Sequence, residues 1–559
     1  MLTTRIIPVA LVRTFALVFT ALVGMSQAQP SPPEGDQIAP LLEGLGEYHR
    51  PTTSTFDDPM VQRFFDQGLL LSYGFNHREA ERSFREAARR DPDCAMCYWG
   101  IALVNGPNIN SKMEDDQVPV AWEAVQKALS LAGRVSEEEQ AYINALATRY
   151  GPEPVEDRTP LDMAYAEAMK EVAARYPDDA DAVTLYAEAL MDLHPWDYWQ
   201  KNGEPRPWTQ EIVTTLESVR RVAPDHPLGN HLYIHAVEAS KTPERGLEAA
   251  RRLGNVAPGA GHLVHMPSHI YIRVGEYHEG TLANQRAIES DNRYVTQCHA
   301  QGIYPLAYIP HNRHFLWATA TLEGRSQIAI EAARSTAEMI DPEMMRVPGM
   351  GTLQHFYAIP LYAFIRFGKW EEILDHPEPD QDLLYPRGVW HYARGLAFAR
   401  TGRLDLAEEE LVQVQAVAAD SALQKVTIWD INRTDALMKI ASLVLEGEMA
   451  AKAWNFNMAV TYLEQAVELE DGLAYNEPPD WFFPVRQNLG AVLIEAGRFA
   501  AAERIYREDL EVFPRNGWSL YGMAQALRGQ QKNQAARRVE EQFEKVWQWS
   551  DVSLPGSRF

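Results

Sequence analysis

The sequence predicts an all-α protein, a solenoid of stacked antiparallel helix pairs, on three observations. The first is the stretch from Phe64 to Pro92. With Pro92 set at position 32 of a unit of about 34 residues, Gly68 falls at 8, Ala80 at 20, Phe84 at 24 and Ala87 at 27. Small residues at 8 and 20 let two helices approach closely, and Phe84 fills the space between them. The second is that the same punctuation recurs along the chain. Gly275-Glu276-Tyr277, Gly324-Arg325, Gly368-Lys369-Trp370, Gly402-Arg403-Leu404 and Gly497-Arg498-Phe499 supply turns inside pairs, while Pro177, Pro224, Pro258 and Pro514 close them. The third is the lack of any Val/Ile/Thr-rich alternation bracketed by Asn-Gly or Asp-Gly turns, so no strands are expected.

Taken in order, the first unit is followed by a second that opens at Tyr98, Ile101 and Ala102, positions 4, 7 and 8. Near the other end, Gly490, Gly497, Ala502, Tyr506 and Pro514 repeat the first pattern almost as cleanly. The period gives roughly ten pairs between about residues 58 and 550, stretched by insertions at 104–118, 133–160 and 192–208. This pattern resembles the tetratricopeptide repeat, and the likeness extends over almost the whole chain, as in exported bacterial repeat proteins. The resemblance implies a right-handed superhelix with a concave groove that takes a protein or peptide.

Residues 1–28 read as a signal peptide. Arg5 and Arg13 precede an apolar run, Thr14 to Met25, too short to span a bilayer. Ser26-Gln27-Ala28 then offers small residues for cleavage after Ala28, which predicts a periplasmic or secreted protein. Residues 29–56, rich in Pro, Gly, Asp and Thr, read as a mobile leader. The solenoid is predicted over 57–550 and a short tail over 551–559. No later run is apolar enough for a membrane span, so no membrane insertion is expected. The formal charge is −25, which disfavours nucleic acid and anionic lipid and suits cations or basic partners.

Cys94-Ala95-Met96-Cys97 sits where one unit ends and the next helix begins. In an oxidising compartment the pair can close a local disulfide. A redox-active pair and a metal pair are the alternatives. Haem attachment is excluded, because Tyr98 stands where the required histidine would follow the second cysteine. No Gly-rich phosphate loop, nucleophile elbow or dinucleotide fingerprint is present, so no nucleotide is expected.

The window from 231 to 314 holds nine of the 16 histidines: 231, 235, 262, 265, 269, 278, 299, 311 and 314. With Pro224 at position 32, His231 falls at 5, His235 at 9 and Glu238 at 12. With Gly275 at position 15, His262 falls at 2, His265 at 5, His269 at 9 and Arg273 at 13. With Gly324 at position 15, His311 falls at 2 and His314 at 5. At about 100° per residue these positions lie opposite the apolar face, and the family resemblance makes that side the groove. His231/His235 and His265/His269 have the i,i+4 spacing that lets one helix offer two imidazoles to one metal. His231, His235, His265 and His269 are predicted to converge, with Glu238, His262, His311 and His314 as further ligands or supports. Neutral imidazole suits Zn, Cu, Ni or Fe. The zinc-protease motif is absent, since neither His-Leu-Tyr-Ile-His nor His-Met-Pro-Ser-His carries glutamate after its first histidine.

Other readings of the same residues are polar contacts to a bound peptide, or buried structural histidines. Pro267, at position 7 of its helix, either kinks that helix or moves its start past His262 and His265. Trp196, Tyr198, Trp199 and Trp208 cap the groove or pack the 192–208 insertion. His355 falls at position 2 of a later first helix and extends the polar line, whereas His391 at position 4 reads as a core residue. Three functions remain open on the sequence: a scaffold whose histidine groove binds a transition metal and a partner or substrate, a metal-dependent enzyme centred on these histidines, and a peptide-binding scaffold without metal.

Overall fold

Helix pairs account for most of the described residues. The computed structural model describes residues 39–54, 57–297 and 304–559. The predicted signal peptide and His299 lie outside the described residues. From the N-terminal side the pairs are Pro59–Tyr73 with His77–Arg90, Ala95–Val104 with Gln117–Leu131, Glu137–Ala147 with Thr159–Arg175, and Ala180–Asp192 with Thr209–Val222. Pro227–Glu238 pairs with Leu247–Val256, the broken helix 261–274 with Tyr277–Gln297, Ile309–Glu323 with Ser326–Glu338, and Gly351–Arg366 with Trp370–Asp375. Leu384–Arg400 with Leu404–Ala419, Thr434–Lys452 with Phe456–Asp471, Val485–Glu495 with Phe499–Val512, and Gly517–Gly529 with Asn533–Val546 complete a set of twelve among the described residues. The sequence reading gives roughly ten, and the helix Glu137–Ala147 lies inside the 133–160 insertion, where the repeat period does not mark it.

The small-residue register does the packing expected of it. Phe84 is fully buried between two glycines: a Cβ on either Gly68 or Gly100 would lie 2.6 Å from its ring. Tyr506 occupies the same slot between Gly490 and Gly522, where added Cβ atoms would lie 2.4 and 2.2 Å from its ring. Interiors packed this tightly leave no slack for a methyl group. Capping fixes the helix starts: Asp58 accepts from the Met60 amide at 2.9 Å, and Ser136 with Glu139 forms a reciprocal capping box.

Three local features go beyond the sequence reading, and a fourth, at Pro267, decides between its alternatives. Within the predicted leader, residues 40–54 are packed: Leu42 donates its amide to Gln67 at 2.7 Å, and Thr53 donates to Glu139 at 2.7 Å. Arg50 is buried among Asp179, Asp181 and Glu138. Within the tail, Asp551 caps the helix Ser326–Glu338 through the Ser326 amide at 2.7 Å, and Arg558 pairs with Glu448 at 2.7 Å. A short hairpin joins Thr427–Ile428 to Asn432–Arg433, turned by Trp429 and Asp430 at φ 52° and 56°. No glycine marks that turn, so the strand patterns sought in the sequence missed it. At Pro267, helix Gly261–His265 stops and Pro267–Val274 resumes, because the proline has no N–H for the Leu263 carbonyl. The helix is therefore kinked, and His262 and His265 remain helical. Cys94 and Cys97 are joined as a disulfide at the start of the helix Ala95–Val104.

The superhelix winds back on itself. The helix Pro227–Glu238 packs on Pro59–Tyr73, and Ile309–Glu323 packs on Gly517–Gly529. Trp518 donates its indole N–H to the Thr321 carbonyl at 3.0 Å, and Tyr277 donates to the Pro514 carbonyl at 2.9 Å. Gly275, in a left-handed turn at φ 76°, lets the Pro514 carbonyl come where a side chain would stand. Among the described residues no helix is long and apolar enough to cross a membrane.

Candidate metal centre

The inner ends of three first helices, Pro227–Glu238, 261–274 and Ile309–Glu323, meet at a cluster of six imidazoles. His231, His235 and His262 form one group and His265, His269 and His311 another, each with ligand atoms within 4.8 Å of one another. The groups adjoin, with ring centres 5.3 Å apart for His235 and His269 and 5.7 Å for His262 and His265. All six rings are between 0 and 8 % exposed. The predicted open groove is thus closed at this point, since the winding brings the inner faces of the helices together and leaves no room for a bound peptide over these residues.

Hydrogen bonds fix the tautomers. His231 Nδ1 lies 2.7 Å from the Tyr73 carbonyl, which can only accept, so Nδ1 carries the proton. Glu238 accepts from His235 Nδ1 at 2.8 Å with one oxygen and from His269 Nδ1 at 2.6 Å with the other. Asn284 donates its amide to the Gly280 carbonyl at 2.8 Å, which turns its oxygen toward His265 Nδ1 at 2.7 Å. Four rings therefore hold their protons on Nδ1 and direct the Nε2 lone pair inward. Nε2 of His231 and His235 and both nitrogens of His262 are buried with no protein partner. His265 Nε2 faces His269 Nε2 at 3.0 Å. Two lone pairs at that distance repel unless a cation, a proton or a metal ion, sits against both. The separation of 3.0 Å also matches two nitrogens bonded at about 2.0–2.1 Å to one ion.

Burial, joined by repulsion from neighbouring imidazoles, holds His231, His262, His265 and His311 well below the usual histidine range, and burial lowers His235 as well. Neutral imidazole is the ligand form. Burial works to raise Glu238, but the flanking His269 and His235 hold it down at about 2, so it is a carboxylate. A histidine held by a carboxylate or carbonyl through its far nitrogen is the usual support of a metal ligand. Glu238 thus acts behind two rings, one from each group. His235, Glu238 and His269 also lie close enough to form a ligand set of their own.

An aromatic shell encloses the cluster. Phe75 packs 4.5 Å from His231, Phe315 4.4 Å from His269, Tyr308 4.8 Å from His262 and Trp196 5.0 Å from His235. Trp429, in the hairpin, meets His311 edge-on at 5.9 Å. Of the insertion aromatics, Tyr198 is buried and Trp199 and Trp208 donate to backbone carbonyls, so most pack the insertion while Trp196 covers the cluster. His314 is not brought into either group: it stacks on Trp317 and lies 5.5 Å from His355. His391 is buried, as expected of a core residue, and its Nδ1 lies 2.6 Å from a Glu410 oxygen. Phe75, Asn284 and Trp429 carried no signal in the sequence, because their approach depends on the winding of the superhelix or on a second-helix neighbour.

His355 supplies a separate pH dependence. Its Nδ1 meets the Tyr385 hydroxyl at 2.8 Å, with His314 and Tyr362 as its other ionisable neighbours. Burial lowers its pKa from 6.5 to about 3. The unfolded chain therefore takes up the proton first: this contribution is intact above pH 6.5 and is lost as pH falls toward about 3, at up to about 1.4 kcal/mol per pH unit. His355→Phe is expected to flatten the fall in urea midpoint between about pH 6 and 4. An unchanged acid limb would contradict that assignment.

No protein-family model matches the chain, and no curated protein matches it. Among solved structures, a human IFIT1 dimer with m7Gppp-AAAA is similar at 11 % identity and TM-score 0.32, covering 89 % of this chain and 91 % of that one. The Cut9–Hcn1 hetero-tetramer of APC/C is similar at 12 % identity and TM-score 0.29, covering 88 % and 74 %. By its own helix pairs and small-residue register, the chain is an all-α solenoid of stacked antiparallel helix pairs.

Proposed function

We infer that this protein is an exported helical-repeat scaffold that holds a transition metal in its closed interior, at His231, His235, His262, His265, His269 and His311. The observation that carries the reading is the shared orientation of the rings. Four Nδ1 protons are pinned outward on Tyr73, Glu238 and Asn284, and the Nε2 lone pairs face one another. Structural core histidines would be expected to use both nitrogens, since an unmet buried polar atom costs about 1–3 kcal/mol. Zn, Cu, Ni and Fe all accept imidazole. Export rests on the N-terminal sequence, with cleavage after Ala28. The rest of the solenoid surface, strongly acidic, is the part left to meet a basic partner.

A ligand that binds only the folded chain raises its apparent stability by about 2.7 kcal/mol at one hundred times its dissociation constant. Adding Cu or Zn to chelator-stripped protein is therefore expected to raise the melting temperature. The rise should vanish in His235→Gln with His269→Gln, while that variant still melts cooperatively. A wild-type melting curve that ignores every metal would return these histidines to a structural role.

A further inference from the structure

We propose that the histidine cluster is a two-ion centre, one ion on His231, His235 and His262 and the other on His265, His269 and His311, and that its preferred occupant is copper(I). This rests on the metal reading above and goes beyond it in number and identity.

The number follows from the partition of the rings. Each group of three brings its ligand atoms within 4.8 Å of one another. Each also draws on two elements: the first takes its pair at 231 and 235 from one helix and its third ring from the kinked helix, and the second takes 265 and 269 from the kinked helix and 311 from the next. The kinked helix carries His262 for the first group and His265 and His269 for the second, so one helix serves both groups. Glu238 joins them, because its two oxygens orient one ring of each group, His235 and His269. Were Glu238 itself a ligand beside His235 and His269, both its Nδ1–H donors would have to be given up.

The identity follows from charge. A metal-bound imidazole is neutral, so six histidine ligands add no charge, and among the described residues the carboxylate hydrogen-bonded to the rings is Glu238. Two divalent ions would leave an excess of about three positive charges in an interior walled by Phe75, Phe315, Tyr308, Trp196 and Trp429, and two monovalent ions about one. An all-nitrogen set of three neutral donors suits a low-charge copper ion, whereas zinc in a three-histidine site normally carries a water as fourth ligand.

The test is an anaerobic titration of the stripped full-length chain with copper(I) against a competing copper(I) chelator, and with zinc(II) against a zinc chelator. Wild-type protein is expected to take two equivalents of copper(I) and at least tenfold less tightly zinc(II). His262→Gln and His311→Gln should each take one equivalent, with melting curves confirming that both fold. One equivalent in the wild type, or loss of all copper in either single variant, means one shared ion and overturns the pairing. Zinc held more tightly than copper(I) overturns the identity. No binding of either metal overturns the metal reading itself. If a variant fails to fold, X-ray absorption on the copper-loaded wild type decides the pairing by the presence or absence of a copper–copper scattering shell.

Discussion

Glu238→Gln is expected to weaken metal binding by about 10–100-fold, the usual range for removing a support behind metal-bound histidine. The carboxylate accepts from His235 and His269 with separate oxygens. A glutamine has one acceptor oxygen and one donor nitrogen. Whichever way it turns, its NH2 faces one Nδ1–H, and that imidazole must move its proton to Nε2 or rotate away. A ring protonated on Nε2 has no lone pair for the ion. The fold should survive with a loss on the order of 1–3 kcal/mol, the cost of an unmet buried polar group. Competition with a chelator measures the affinity. Tyr475→Phe is the control, because its hydroxyl lies 3.5 Å from Glu238 and orients no ring. Equal metal affinity in Glu238→Gln and wild type would show that the carboxylate does not set the tautomers.

The largest loss of stability is expected at Asp181. Its carboxylate accepts from Arg50 at 2.8 Å, from the Tyr48 hydroxyl at 2.7 Å and from the Tyr73 hydroxyl, and lies 3.0 Å from His226 Nε2. Arg50 is only 8 % exposed and is held on its other side by Asp179. Burial alone would raise the Asp181 pKa, but His226, Arg50 and Tyr73 hold it well below the usual carboxylate range. Asp181→Ala removes one of the three carboxylates around this buried arginine and the shared acceptor of Tyr48, Tyr73 and His226, and breaking a buried pair from one side typically costs about 3–5 kcal/mol. The expected result is a lower urea midpoint, with proteolysis opening first at residues 40–54, since Tyr48 and Arg50 anchor that segment to the fourth pair. Asp181→Leu combined with Arg50→Met should cost less than Asp181→Ala alone, because both charges leave together. A double variant as damaged as the single one would contradict this account of the network.

The parts of this protein that were legible in the sequence are those set by local spacing. Phe84 with Gly68, and Tyr506 with Gly490, give the repeat register because close helix contact tolerates only small residues opposite a ring. That register places His231, His235, His265 and His269 on one helix side without any knowledge of the tertiary fold. It also places His314 there, which the structure instead pairs with His355, since position within a repeat does not fix how far one repeat is rotated from the next. Glu238 was legible as a neighbour of the histidines but not as the group that orients two of them. The closure of the groove was not legible, because it depends on contacts such as Trp518 with Thr321 and Phe75 with His231, more than one hundred residues apart in sequence. The packing of residues 40–54 was hidden for the opposite reason. Their Pro, Gly and Thr content reads as mobile, while Arg50 finds its partners only after the fourth helix pair is in place.

The most direct test of the central claim, that the Nε2 atoms of these histidines hold metal, is a crystal structure of the metal-loaded protein with anomalous data collected on either side of the metal edge. The account predicts anomalous density inside the cluster, bonded to Nε2 of His231, His235, His265 and His269 at about 2.0–2.1 Å, with Nδ1 still on Tyr73, Glu238 and Asn284. Metal bound only elsewhere on the chain, with ordered water or nothing among these rings, would contradict it.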